Sequence, residues 1–161
     1  MMTNSKFNIR LAEEKDSGTI FKFIQDLAEF EKLSDTVSAT EDIIRESLFG
    51  QKAYAETILA EIDGKPVAFA MFFHNFSTFV GRPGLYIEDA YVYPEHRGKG
   101  IGTCMFKFCA KLAKERNCGR MEWMALKWNP ACELYKKMGA ETMDEWHVFR
   151  LTGDALDEFA G

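Results

Sequence analysis

The chain predicts a mixed α/β domain, one sheet flanked by helices. Three observations predict it. Two segments near the N-terminus space apolar residues at three and four, as amphipathic helices do. An Asp63-Gly64 pair joins two apolar, strand-like runs, which is a strong hairpin signal. From residue 85 onward strand-like and helix-like runs alternate, the order that builds a sheet with helices on its faces.

Phe7 to Leu11 alternates apolar and polar residues and reads as a first strand. Asp16 or Ser17 caps a helix running to about Glu31, with Ile20, Phe23, Ile24, Leu27 and Ala28 on its buried stripe. Ser38-x-x-Glu41 has the form of a capping box opening a second helix, with Ile43, Ile44 and Leu48 apolar and Gly50 as its stop. Thr57 to Ile62 and Val67 to Phe73 are the hairpin strands, the second almost wholly apolar and therefore central. Residues 74–84 read as a loop broken by Gly81, Pro83 and Gly84. Leu85 to Tyr93 is the next strand. A third helix spans about 101–116 with Met105, Phe108, Cys109 and Leu112 inward, and Asn117-Cys118-Gly119 ends it. Arg120 to Leu126 is a strand, a helix follows from about Pro130 to Met138 with Gly139 as its stop, Trp146 to Leu151 is a last strand, and Thr152 opens a short terminal helix.

At 161 residues and 47% apolar, the chain has the size and composition of a single domain, residues 1–161, with a real core. Its formal charge is −5, from 25 acids against 20 bases, and it has no long basic run, so no nucleic-acid partner is expected. The same charge suits a cationic substrate. Its four cysteines, Cys104, Cys109, Cys118 and Cys132, form no C-x-x-C pair, and its three histidines are scattered, so no metal site is expected. The opening residues lack an apolar signal region, and no apolar run reaches the roughly 18 residues of a membrane span. A cytoplasmic protein, with free thiols and no membrane partner, is the expectation.

Arg97-Gly98-Lys99-Gly100-Ile101-Gly102 follows a strand and a Pro94-Glu95-His96 turn, and precedes a helix. Strand, glycine-rich turn and helix aim free backbone N–H groups and a helix N-terminus at an anion. Glycines allow positive φ and close backbone approach, and Arg97 adds a charge-assisted donor. A phosphate-bearing ligand is expected here. The spacing is not G-x-G-x-x-G, and no Lys-Ser or Lys-Thr completes a nucleotide triphosphatase loop.

The run is similar to Arg-x-x-Gly-x-Gly, the pyrophosphate loop of the GNAT superfamily of N-acetyltransferases. Tyr91-Val92-Tyr93-Pro94 upstream and Asn129-Pro130-Ala131, Leu134-Tyr135 and Met138-Gly139-Ala140 downstream extend the likeness. The resemblance implies a mostly antiparallel sheet whose two central parallel strands, here 85–93 and 120–126, splay apart around acetyl-CoA. It implies cofactor contacts from Ala90, Tyr91, Val92, Arg97, Gly98, Lys99, Gly100, Ile101, Gly102, Thr103, Asn129, Pro130, Ala131 and Tyr135.

Acetyl transfer to an amine needs a proton acceptor, a polarised thioester, a proton donor for the departing thiolate, and close approach. Tyr135, six residues after Asn129, matches the family's tyrosine near the sulfur and is the candidate acid. The plain alternative is a tyrosine packing its ring in the core. Asn129 also sits where a helix cap would. Glu88 and Asp89 interrupt an apolar strand, where a charge is costly unless paired or wet. Adjacent strand residues face opposite ways unless a bulge re-aims them. Glu88 is the candidate to bind the substrate ammonium and take its proton; Asp89 is either catalytic or structural.

Leu27 to Asp35, Phe49-Gly50, Leu85 to Asp89, Trp128-Asn129 and Trp146-His147 look like the diamine acetyltransferase family, which acts on spermidine, spermine or thialysine. Substrate contacts implied by that likeness are Phe30, Glu31, Glu88, Asp89, Trp146 and Glu145, with Glu122, Trp123 and Met124 by position only. The loop Ser77 to Arg82 carries Thr78 where the polyamine enzyme has an acid, a departure that favours a shorter, lysine-like amine. The resemblance also implies a homodimer. The alternatives are an enzyme acetylating a protein lysine or N-terminus, and an acetyl-CoA sensor without turnover.

Overall fold

The computed structural model describes residues 2–4 and 7–161, with side chains described from Phe7 onward. The chain divides into two compact units, Met1–Met124 and Ala125–Gly161.

The first unit holds a six-stranded mixed sheet in sequence order: β1 (Met2–Asn4), β2 (Phe7–Leu11), β3 (Glu56–Ile62), β4 (Lys65–Ser77), β5 (Arg82–Val92) and β6 (Arg120–Trp123). Every pairing is antiparallel except β5 with β6, which is parallel. Short turns make antiparallel neighbours; the parallel pair needs a crossover, and α3 (Ile101–Glu115) supplies it. Asp63 and Gly64 take φ of 49° and 74°, so the β3–β4 turn has positive φ at both central residues, as a tight hairpin requires.

β4 is central and buried on both faces through Val67, Ala68, Phe69, Ala70 and Phe72, which is why its sequence runs apolar without alternation. α1 (Ser17–Glu31) covers one face, and Phe23 stacks on Phe69 at 5.2 Å and on Tyr93 at 4.7 Å between ring centroids. Phe23 is fully buried, and truncating it to alanine costs about 3–5 kcal/mol. Phe72, three residues beyond Phe69, points to the other face by strand alternation. There the guanidinium of Arg116, at the end of α3, lies 5.7 Å from its ring centroid. α3 buries Ile101, Met105, Phe106, Phe108, Cys109 and Ala113. α2 (Glu41–Phe49) adds Leu48 to the α1 side.

Several expectations change. Asp16 stands at the start of α1 but makes no side-chain cap bond. Its carboxylate takes the Glu13 N–H (2.8 Å) and the Arg10 guanidinium (2.7 Å) instead. Thr40, not Ser38, caps α2: its Oγ1 accepts from Ile43 N–H at 3.3 Å, because Thr40 immediately precedes the first helical residue. Ile43 is exposed. The span 74–84 is mostly strand. β4 runs to Ser77 and β5 begins at Arg82, so only residues 78–81 turn, with Gly81 at φ 68°. Pro83 fits in β5 because its role there is as acceptor, taking the Gly119 N–H at 2.8 Å. β6 stops at Trp123, three residues short of Leu126.

The second unit has α4 (Ala131–Lys137) and α5 (Asp154–Ala160), with Gly139 at φ 89° ending the first. Residues 146–151 form no strand. Alternating apolar residues alone do not make one, since a strand exists through its ladder bonds, and these residues are exposed.

Candidate active site

Two features of the first unit build the site: an open strand edge ending in the glycine loop, and a cluster of carboxylates on the α1 side.

The edge follows from register. β5 pairs with β6 only from Gly84 to Ile87, so beyond Ile87 β5 has no strand on that side among the described residues. This is the parting of the two parallel strands. Tyr93 N–H bonds to Val67 O at 3.1 Å, which fixes the antiparallel alternation. Tyr91 therefore turns its backbone groups to β4, while Ala90 and Val92 turn theirs to the open edge. An extended amide chain could pair there as an added strand.

The loop lies just past the end of that edge. Gly98 and Gly100 have φ of 73° and 81°, conformations that residues with a Cβ rarely adopt, and a Cβ at either would meet no atom within 4 Å. Gly102 is different: it lies inside α3 with ordinary φ, and its Cβ would meet Val92 at 3.9 Å. Gly100 leads into α3 without a side-chain cap, and the first helical bond is Cys104 N–H to Gly100 O at 3.0 Å. The N–H groups of Ile101, Gly102 and Thr103 thus precede the helical ladder, as an anion site requires. Lys99 is exposed beside them. Arg97 takes another course. Its Nε donates to Val92 O at 2.9 Å, and its guanidinium lies 4.5 Å from the Phe30 ring centroid.

The carboxylates come together through a bulge. Met71 pairs with Asp89 and Phe72 with Ile87, leaving Glu88 as an extra residue of β5. Asp89, on the α1 face, is half-buried and Glu88 is exposed. Burial first, then the charges of Glu88 and Glu31, push the Asp89 carboxyl up to about 6. Burial also raises the Glu31 carboxyl. Three acids thus converge from α1 and β5, and one is tuned toward neutral pH.

Other expected contacts are placed differently. Glu122 is held by Asn75 Nδ2 and Arg120 Nε, both at 2.8 Å. Trp123 sets its ring edge-on to Phe106 of α3, at 5.0 Å. Met124 is exposed. In the second unit, Asn129 Oδ1 accepts from Ala131 N–H at 2.9 Å, so Asn129 caps the start of α4 across the exposed Pro130. Tyr135 is half-buried on α4, and Glu145 and Trp146 are exposed. Asn75 and the α1 acids Asp26 and Glu29 were missed in the sequence. Asn75 carried no signal there, whereas Asp26 lies three residues before Glu29 and four before Phe30, spacings that make it a neighbour of each on the surface of α1.

Residues 21–140 match the family model described as the acetyltransferase (GNAT) family. The chain belongs to the GNAT family. It is an N-acetyltransferase, and this family uses acetyl-CoA as co-substrate. The chain is 40% identical to the thialysine N-epsilon-acetyltransferase of Bos taurus over 95% of its own length and 96% of that protein's. It is 31% identical to an L-ornithine N5-acetyltransferase of Arabidopsis thaliana, covering 92% of this chain and 85% of that one. Among solved structures, an integron cassette protein from the mobile metagenome of V. cholerae matches with a TM-score of 0.81 and 26% identity, over 96% of this chain and 98% of that one. The residues present fit the family's co-substrate: the positive-φ glycines leave open space at the head of α3, and Ala90 turns its strand groups to the open edge beside Val92, whose carbonyl Arg97 holds. Among the described residues no group of His, Cys, Asp and Glu could hold a metal ion, and no helix is long and apolar enough to cross a membrane.

Proposed function

We propose that the protein acetylates a primary amine of a small cationic substrate, a diamine or a lysine-like amino acid, and that residues 1–161 act as one acetyltransferase domain. The observation that carries this is the convergence of Glu31, Glu88 and Asp89, with the Asp89 carboxyl held near pH 6. The relatives named for thialysine and L-ornithine support the substrate class.

Acetyl-CoA supplies the activated acetyl thioester. Gly98 to Thr103 and the edge of β5 hold it, with Arg97, Asn129, Pro130 and Ala131 as further contacts. The acids Glu31 and Glu88 draw in the ammonium beside Phe30, and the resemblance supports Glu145 and Trp146 as further substrate contacts. The amine must lose a proton before its nitrogen bonds to the acetyl carbon. The Glu88–Asp89 pair takes that proton, Asp89 being the member whose affinity for it suits neutral pH. As the carbon–sulfur bond breaks, Tyr135 gives its phenolic proton to the sulfur, and the second proton shed by the acetylated nitrogen restores the phenol. The enzyme works as a cytoplasmic homodimer, with neither nucleic acid nor membrane as partner; the resemblance supports the dimer, and the charge of −5 weighs against nucleic acid.

The test is thiol release from acetyl-CoA against putrescine, spermidine, spermine, thialysine, lysine and a lysine peptide. Turnover fastest with thialysine or a short diamine supports the reading. Turnover confined to the peptide overturns the small-amine assignment, and coenzyme binding without turnover makes the protein a sensor.

A further inference from the structure

Arg97 does not reach away from the protein toward the head of α3. Its guanidinium is 4.5 Å from the Phe30 ring centroid and 5.3 Å from that of Tyr91, and these rings lie 6.0 Å apart, tilted by 56°. Two rings set as an open V around a cation form an aromatic seat. Beside it is a cavity of about 330 Å³ lined by Asp26, Glu29, Phe30, Tyr91 and Tyr93. Asp26 is engaged by Lys22 at 3.1 Å and by the Tyr93 hydroxyl at 3.0 Å, whereas Glu29 is exposed. These surroundings attract an organic cation, and the chain's own guanidinium holds the seat.

The seat adjoins both halves of the reaction. Phe30 precedes Glu31, and Tyr91 lies two residues beyond Asp89 on the same strand face. The Nε of Arg97 is bonded to Val92 O, a carbonyl of the open edge of β5. Arg97 also opens the glycine loop, one residue before Gly98.

We propose that Arg97 is a positioning residue that couples the two substrates. Its guanidinium occupies the aromatic seat of the amine's cationic group until a phosphate-bearing co-substrate draws it off, so amine binding follows co-substrate binding. This rests on the acetylation reading above. A guanidinium gains more from charge-assisted, two-pronged bonds to phosphate than from ring faces. While Arg97 stays on Phe30 and Tyr91, an incoming ammonium loses the rings and meets a like charge. Its departure supplies both changes at once, and the coupling is reciprocal by linkage.

The test is calorimetric titration of thialysine into the full-length protein, with and without saturating coenzyme A, which cannot react. In the wild type the amine is expected to bind about tenfold tighter with coenzyme A, a difference of about 1.4 kcal/mol. In Arg97→Gln, an exposed position, the coenzyme-free protein is expected to bind thialysine about as tightly as the loaded wild type, although coenzyme affinity falls. Phe30→Leu is expected to abolish the gain by removing the seat. A residue that only anchors phosphate would leave coenzyme-free amine affinity unchanged in Arg97→Gln, and that result overturns the proposal. Equal affinity of the wild type with and without coenzyme A does the same. If the wild type acetylates amines yet shows no such coupling, the Arg97 assignment alone fails. If it acetylates no amine at all, the acetylation reading fails, and the coupling with it.

Discussion

Asp89 stands opposite Met71 across the β4–β5 ladder, and because the next pair joins Phe72 to Ile87, Glu88 between them has no opposite residue. A regular strand would send these two acids to opposite faces. The bulge relaxes that alternation, and the Asp89 carboxylate lies within electrostatic reach of both Glu88 and Glu31 at the end of α1.

That cluster makes activity depend on pH. With the Asp89 carboxyl at about 6, kcat/KM for the amine should rise as pH increases through about 6 and the carboxylate forms. Glu31→Gln removes a repelling charge, so the acidic limb should move to lower pH. An unmoved limb in that variant would break the assignment. Asp89→Asn should lower turnover by about a hundredfold or more.

The same shift reads on stability with a definite sign. The folded chain holds the Asp89 proton more tightly than the unfolded chain, whose carboxyl has the ordinary value of 3.8. Between about pH 4 and 6 the folded state therefore binds more protons, and this group's effect is to lower stability as pH rises. Asp89→Asn should be more stable than the wild type at pH 7.5, by on the order of 1–2 kcal/mol, with the gain fading toward pH 4. Urea titrations at both pH values measure it.

Asp16 gives the opposite sign. Its hydrogen bonds with Arg10 lead the causes that hold the carboxyl below its ordinary value, and Arg10 also pairs with Glu61 at 2.7 Å. The stabilisation is present above about pH 4 and is lost as pH falls further. Asp16→Asn should cost about 1–3 kcal/mol at neutral pH, since it strips a buried acceptor from the Arg10 network. A melting temperature unchanged from the wild type would show that Glu61 alone holds Arg10.

Gly100 separates cofactor binding from folding. Its φ of 81° makes Gly100→Val strained by about 1–2 kcal/mol, and a side chain there would stand where phosphate approaches the N–H groups of α3. Coenzyme A affinity should fall at least about tenfold with the circular dichroism spectrum retained. Full affinity in the variant would move the phosphate site away from this loop.

Tyr135 is tested by removing one oxygen. Tyr135→Phe should retain coenzyme affinity and lose about a hundredfold in turnover, the usual worth of a positioned proton donor. Retained turnover would return Tyr135 to the role of a packing residue on α4.

Much of this was legible in the sequence because it depends on near neighbours. The α1 stripe, the Asp63-Gly64 hairpin, the glycine loop before α3 and Gly139 after α4 are each fixed by spacing or by a residue's own conformational freedom. The misplaced features depend on distant partners. Thr40 rather than Ser38 caps α2, because the cap belongs to wherever the first helical turn starts. Residues 74–77 and 82–84 are strand despite Pro83 and Gly84, because β4 and Gly119 satisfy their backbone groups.

The sequence alone determined the fold class, the positive-φ glycine loop of Gly98 and Gly100, and the presence of acids at Glu31, Glu88 and Asp89. All of these follow from local stereochemistry and from where a charge interrupts an apolar run. Only the tertiary structure decided which acids meet, that Glu122 is spent on Asn75 and Arg120, and that Arg97 rests on Phe30 and Tyr91. Those outcomes hang on a one-residue slip in register and on side chains far apart in the chain. Neither leaves a trace in spacing, because burial and electrostatics act through space.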